Sequence, residues 1–213
     1  IKQIVLMMTC SSRAYVFIDT CSLLDSCWKK ASRGHASFTY SETKARNFWE
    51  REFRSLESVG AVIVPMRNYE ELQRHASNSK KPELAARAQH IIKLISGLIR
   101  DQRIEIVGDS NDPFADAILL SVALKFRTQN NMVFITQDRK LAHDLEAIRH
   151  FESVRPREGY DIKVRRITSD GYLGMHRGVC KAGQLFEKGE SFEDGPIKCS
   201  SSRDCSEIGN WWD

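Results

Sequence analysis

No apolar run in this chain approaches the length of a membrane span, so a spanning helix is not expected. Its six cysteines form no CxxC pair, and no histidine stands at metal-finger spacing from them, which argues against structural zinc. No Ser/His/Asp arrangement stands out. The first strand pattern lacks the D-x-D spacing of aspartyl-phosphate enzymes, because Asp19 is followed by Thr20 and Cys21. Internal repeats are absent, and the only low-complexity tract is "CSSSRDC". The opening "IKQIVLMMTCSS" imitates a signal peptide without a clean cleavage site, so residues 1–13 read as a poorly ordered lead.

An excess of one sign of charge is also lacking, with 32 Lys/Arg against 28 Asp/Glu. A net charge of +4 over 213 residues does not by itself imply a polyanionic partner. Its distribution is more informative. Residues 168–213 hold five Lys/Arg against eight Asp/Glu, leaving 27 against 20 in the preceding part. A basic body precedes an acidic tail, and seven of the twelve glycines fall in that tail. Residues 169–213 therefore read as a Gly-rich, loop-rich appendage, or a tail partly ordered against the body.

The body alternates two kinds of segment. "YVFID" (Tyr15 to Asp19), "AVIV" (Ala61 to Val64), "IEIV" (Ile104 to Val107), "MVFIT" (Met132 to Thr136) and "IKVRRI" (Ile162 to Ile167) read as buried parallel strands. The third and fifth are more mixed and belong nearer an edge. Between them lie four amphipathic faces. The first is Ala45, Phe48, Trp49, Phe53 and Leu56, and the second runs from Leu84 to Ile99. The third is Phe114, Ala117, Ile118, Ser121 and Leu124, and the fourth is Leu141, Leu145 and Ile148. A shorter helix is expected over Met66 to Ala76. Strands alternating with helices over 14–168 predict an α/β fold: three layers, α/β/α, around a central parallel sheet of about five strands. The active edge of such a sheet is the carboxyl end of its strands, at a topological switch point.

Acidic residues gather at that edge. Asp19 ends the first strand, Glu71 lies on the helix after the second, Asp112 and Asp116 follow the third, and Asp138 follows the fourth. Like charges held together raise one another's pKa or demand a counter-ion. Hard divalent cations supply one, and Mg²⁺ is usually held by one or two carboxylates, waters and substrate phosphates. The expectation is a Mg²⁺ or Mn²⁺ site facing a phosphate-bearing substrate. Asp112, ahead of Pro113, also has the position of an N-cap with Pro at N1. It is therefore a cap first and an accessory ligand second. Asp138 can cap its helix and bind metal at once.

In order and placement these motifs resemble the PIN-domain nucleases: "D-T-x-x-L-L" from Asp19, "VP…EL" around Glu71, "DAILLSVAL" from Asp116 and "ITQD" ending at Asp138. The resemblance spans Ala14 to Ile167. It implies a metal-dependent endoribonuclease in which Asp19, Glu71, Asp116 and Asp138 are the catalytic, metal-binding acids. It further implies a cytoplasmic protein, the toxin of a toxin–antitoxin pair, with an antitoxin partner and a homodimer. The family often has Asn two places after its first Asp, where this chain has Cys21, so Thr20 and Ser22 are the candidates to support that acid. Thr136 matches a frequent hydroxyl. "KKASRGHASFTY" offers Lys29, Lys30, Arg33, Phe38 and Tyr40 to RNA, and reads equally as a solvated loop. A non-catalytic RNA-binding or scaffold protein on the same fold is the competing expectation.

Overall fold

Tyr15, Val16, Phe17 and Ile18 are all buried, and successive residues enter different cores. Side chains of a strand alternate between faces, so a run buried at every position must be covered on both sides. The computed structural model shows that arrangement in residues 14–30, 37–149 and 160–176, which are the residues described below. The chain divides into two compact units, 1–180 and 181–213. The second unit lies outside the described residues, as do the 1–13 lead, Arg33 and most of the 169–213 appendage.

The central sheet has six strands: β1 (Ala14–Ile18), β4 (Gly60–Pro65), β5 (Glu105–Val107), β6 (Met132–Ile135), β7 (Ile162–Ile167) and β8 (Leu173–Gly174). Their order is β5-β4-β1-β6-β7-β8. The first five are mutually parallel, as expected, and β8 closes the edge as a short antiparallel partner of β7. The two mixed segments lie where their composition suggested, β5 at one edge and β7 beside the other. The chain builds outward from β1 through β4 to β5 and then returns to β6 on β1's other side. The switch point therefore falls between β1 and β6, whose carboxyl ends lead to Asp19 and Thr136.

On one face lie α1 (Thr20–Asp25), α2 (Glu42–Arg46), a π-helical turn (Asn47–Glu52), α3 (Phe53–Val59), α4 (Met66–Ala76) and α5 (Pro82–Arg100). On the other lie α6 (Ala115–Phe126) and α7 (Arg139–Arg149). The π turn explains an irregular spacing in the sequence. Phe48 and Phe53 are five apart yet both buried, and the Phe53 amide donates to the Phe48 carbonyl. A wider turn keeps residues five apart on one face. A separate hairpin, β2 (Trp28–Lys30) with β3 (Phe38–Tyr40), pairs Trp28 with Tyr40.

Two expectations about α6 fail. The helix starts at Ala115, with extended Phe114 as its cap, so Asp112 is not the N-cap. Instead the Asp112 amide donates to the Asp109 carbonyl (2.9 Å), and Asp112 Oδ2 accepts from the Asp109 amide (3.0 Å). Asp109 Oδ1 accepts from the Asn111 amide (2.8 Å). Short side chains have closed a local turn in competition with the helix. Consequently Asp112 and Asp116 do not share a helix face. The buried face is also rotated: Ile118, Leu119, Val122, Ala123 and Phe126 are inside, whereas Leu124 and Phe114 are exposed and Ser121 faces outward. "AILLSVAL" is apolar nearly all round, so its periodicity does not select a face.

Beyond residue 168 the chain remains attached to the sheet. Gly171, at φ +93°, turns it into β8, and a Cβ there would lie 2.3 Å from the Lys44 carbonyl oxygen. Glycine is required both for the backbone angle and for that approach.

Candidate active site at the carboxyl edge

Asp19 follows β1 at the switch point and is 6 % exposed. Its backbone continues the sheet, the amide donating to the Ile135 carbonyl (3.0 Å). Four donors surround its carboxylate. The Thr20 amide (2.7 Å) and Asn68 Nδ2 (2.7 Å) reach Oδ1, while Thr136 Oγ1 (2.9 Å) and the Cys21 thiol reach Oδ2. Burial nevertheless holds the Asp19 pKa above its ordinary value; the bonds from Cys21 and Thr136 oppose that shift and the charge of Asp116 adds to it.

Support for Asp19 is only partly as expected. Thr136 acts directly, and its Oγ1 also accepts from the Asp138 amide (3.0 Å). Thr20 contributes its amide, while its hydroxyl bonds to Asn68. Ser22 plays no such part: its Oγ is buried with no hydrogen-bond partner. Cys21, set aside as a weak donor, contacts the acid itself and accepts from the Gln137 amide (3.1 Å). The side-chain amide donor comes from Asn68 on α4, which sequence reasoning missed. Its place in "MRNYEEL" marks it only as one polar residue on an amphipathic helix.

Asp116, in the first turn of α6, makes no hydrogen bond or ion pair through its carboxylate among the described residues. Asp116 is an exposed residue, and its pKa is raised first by partial desolvation and then by Asp138 and Glu71, with Lys140 opposing and Asp144 adding to the shift. Glu71 and Asp138 thus each lie within electrostatic reach of Asp116, and Asp116 within that of Asp19. Asp144 on α7 is an acid the motifs did not flag. The neighbouring Glu70 is turned to Arg67 (2.7 Å), whereas Glu71 has only His75, at 3.7 Å, among the described residues. Asp138 caps α7 as expected, its Oδ1 accepting from the Lys140 (2.7 Å) and Leu141 (3.2 Å) amides.

The donor set fits a hard cation by its chemistry. It offers carboxylate oxygens whose mutual repulsion Lys140 does not cancel. Among the described residues, however, no three His, Cys, Asp or Glu side chains are grouped closely enough to hold a metal ion directly. Such a rim suits a cation that keeps several waters. Four donors also fill the four lone-pair positions of the Asp19 carboxylate. A ligand role for Asp19 requires one donor to give way, and the thiol is the weakest. Asp112, held in its own turn, is placed as a loop acid.

The carboxyl ends of β6 and β7 are braced from beyond residue 168. His176, buried, donates from Nε2 to the Thr136 carbonyl (2.9 Å), and Gln137 Nε2 donates to the Ile167 carbonyl (2.9 Å). Burial lowers the His176 pKa first of all, with Arg166 and Arg139 adding to it. A depressed histidine stabilises the fold fully above its unfolded value of 6.5, and the contribution is lost as pH falls through the window below that value. His176→Gln, which keeps a donor without a titration, is expected to show a smaller fall in melting temperature between pH 7 and 5 than the parent. Equal falls would dismiss the brace as a pH-dependent element.

The proposed RNA contacts divide. Lys29 is paired with Asp170 (3.4 Å), and Lys30 is exposed. Phe38 is covered by the Arg87 guanidinium, 3.7 Å from its ring centroid, and does not offer that face for stacking. Tyr40 is 53 % exposed. Arg33 lies outside the described residues. Cys21 and Cys27 are free thiols. No described helix is long and apolar enough to cross a membrane. Comparison with protein-family models and with curated proteins gives no match for the chain, so the meaning of this rim rests on its geometry.

Proposed function

We propose that the chain is a Mg²⁺- or Mn²⁺-dependent endoribonuclease acting on single-stranded RNA at the β1/β6 switch point. The observation that carries this reading is Asp116, a carboxylate without a bonded partner whose electrostatic neighbours are Asp138, Glu71 and Asp19. Repulsion of that kind is a standing cost to the fold, and a divalent cation together with a phosphodiester would relieve it. When bound, the cation would supply Lewis acidity to acidify and orient the attacking water and stabilise the departing oxygen. Asp116, Asp138 and Glu71 would hold it. Asp19, fixed by Thr20, Asn68, Thr136 and Cys21, would lend it charge, and would ligate it if the thiol withdrew. Phe114, 81 % exposed one residue before α6, gives an unstacked base an aromatic face beside Asp116. A cytoplasmic toxin whose antitoxin covers the acidic rim, and which forms a homodimer, belongs to the same proposal.

The direct test is incubation of the purified chain with single-stranded RNA and Mn²⁺, with EDTA as the control. Metal-dependent internal cuts support the reading, and intact RNA under both conditions dismisses it. A second reading, a non-catalytic RNA-binding protein on this fold, is favoured by the saturation of Asp19, whose carboxylate already accepts from four donors. Calorimetry separates the two, because only the first requires Mn²⁺ to bind the parent and not its Asp116→Asn variant.

A further inference from the structure

We propose that a groove at the β2–β3 hairpin is a nucleobase subsite, in which a base of the RNA strand stacks on Tyr40 and meets His90, whose plane is inclined by 58°, at its edge. This rests on the RNA-directed reading above and adds a site that none of the acids contributes to. The groove has a volume of about 420 Å³ and is lined by Trp28, Tyr40, Glu83, Ala86, Arg87 and His90. That volume lies within the range of about 300–1,000 Å³ typical of small-ligand sites.

The platform is built and held. An isolated two-stranded hairpin is marginal in water, so its fixity must come from what it packs on. Here the Trp28 carbonyl accepts from buried Lys44 Nζ (2.8 Å), and the Phe38 amide donates to Glu83 on α5. Arg87 lies across Phe38 and donates to the Leu24 carbonyl and Asp25 Oδ1, both at 2.9 Å. The Trp28, Tyr40 and His90 rings meet in pairs, with centroids 5.2 to 5.9 Å apart. Trp28 is spent inside this cluster, while Tyr40 and His90 keep exposed surface. These contacts replace the solvated-loop reading for residues 28–30 and 38–40.

The chemistry of the lining selects a planar, polar-edged ring. Exposed aromatic faces beside a cation suit any base, because every base has a π-face and Arg adds cation–π attraction. Arg87 supplies that cation: it is more than nine-tenths buried, its guanidinium is held by Leu24 and Asp25, and it lines the groove beside Tyr40 and His90. Lys30 is exposed on β2 for the backbone phosphates. The groove is linked to the acids by α1, which begins after Asp19 and ends at Asp25, the partner of Arg87. Six residues of helix span about 9 Å.

The test is fluorescence anisotropy of the full chain with a labelled single-stranded oligoadenylate ten-mer, in EDTA so that nothing is cut. Tyr40→Ala is expected to raise Kd roughly tenfold, as loss of one base–aromatic stack does, and His90→Ala to raise it by a smaller factor. Tyr40→Phe, which keeps the ring, should bind like the parent. An abasic ten-mer should bind the parent and Tyr40→Ala alike, and weakly. The groove is overturned if both alanine variants bind oligoadenylate as the parent does, if the parent does not bind it, or if the parent binds the abasic strand equally tightly. Binding that depends on Tyr40 without any Mn²⁺-dependent cleavage would retire the nuclease reading and support the groove. Cleavage with undiminished binding by Tyr40→Ala would retire the groove alone.

Discussion

Asp116→Asn is expected to reduce Mn²⁺-dependent RNA cleavage by more than about a hundredfold, since even partners behind a metal ligand cost 10- to 100-fold when removed. The same substitution should make the cation-free protein more stable at neutral pH. Partial desolvation and the charges of Asp138 and Glu71 raise the Asp116 pKa above its usual 3.8. A raised carboxyl pKa means that the folded chain holds the proton more tightly than the unfolded one. Stability from this group is therefore greatest below the ordinary value and is lost as pH rises through the raised one. Asparagine carries no charge to repel, so the variant should melt above the parent near pH 7, with the gap closing toward pH 4. Added Mn²⁺ should reverse the order by stabilising the parent alone. A variant that cuts RNA as fast as the parent removes Asp116 from the site, and a variant no more stable at neutral pH removes the electrostatic argument.

Asn68→Ala should have the second large effect, through Asp19. Hydrogen bonds to charged groups contribute about 1.5–3 kcal/mol, and this substitution removes the Nδ2 donor from Oδ1 of a buried carboxylate. It also removes the bond to the Thr20 hydroxyl (3.1 Å). A loss of about 2 kcal/mol in denaturant unfolding at pH 7 is expected, with cleavage falling about 10- to 100-fold. Part of the stability loss belongs to the pairing with Asp19, so a double-mutant cycle with Asp19→Asn should return a coupling energy on the order of 1 kcal/mol or more. Additive losses would mean that Asn68 acts only as a packed residue. The cleavage arm supplies what a merely structural role would not: unchanged turnover in a destabilised but folded variant would separate Asn68 from the chemistry.

The framework was legible in the chain because its signals are local. "YVFI", "VIVP" and "MVFI" are buried on both faces, and only a sheet covered by two helical layers accepts that. The helix expected over Met66 to Ala76 has those bounds in the structure. Placing Asp19, Glu71, Asp116 and Asp138 near one edge needed only strand ends and a parallel sheet. The failures lie where a local pattern has two equal solutions. In α6, apolar residues surround the axis, so packing against the sheet chose the buried face. At Asp112, an Asx-type turn and a helix cap use the same side-chain oxygen, and the turn won.

By itself, the sequence determined that this chain folds as helices on both faces of a parallel sheet and sends acids to its carboxyl edge. Periodicity and strand order are properties of neighbouring residues, so they can be read along a line. Only the tertiary structure decided how those acids are held. Asn68 lies 49 positions from Asp19 and Thr136 lies 117, yet both donate to its carboxylate. His176 meets Thr136 across 40 positions, and His90 meets Trp28 across the gap between a hairpin and a helix. Those partners are set by how α4, α5 and β8 dock on the sheet. A hydrogen bond between distant residues leaves no spacing in the sequence, because its geometry exists only after the layers have packed.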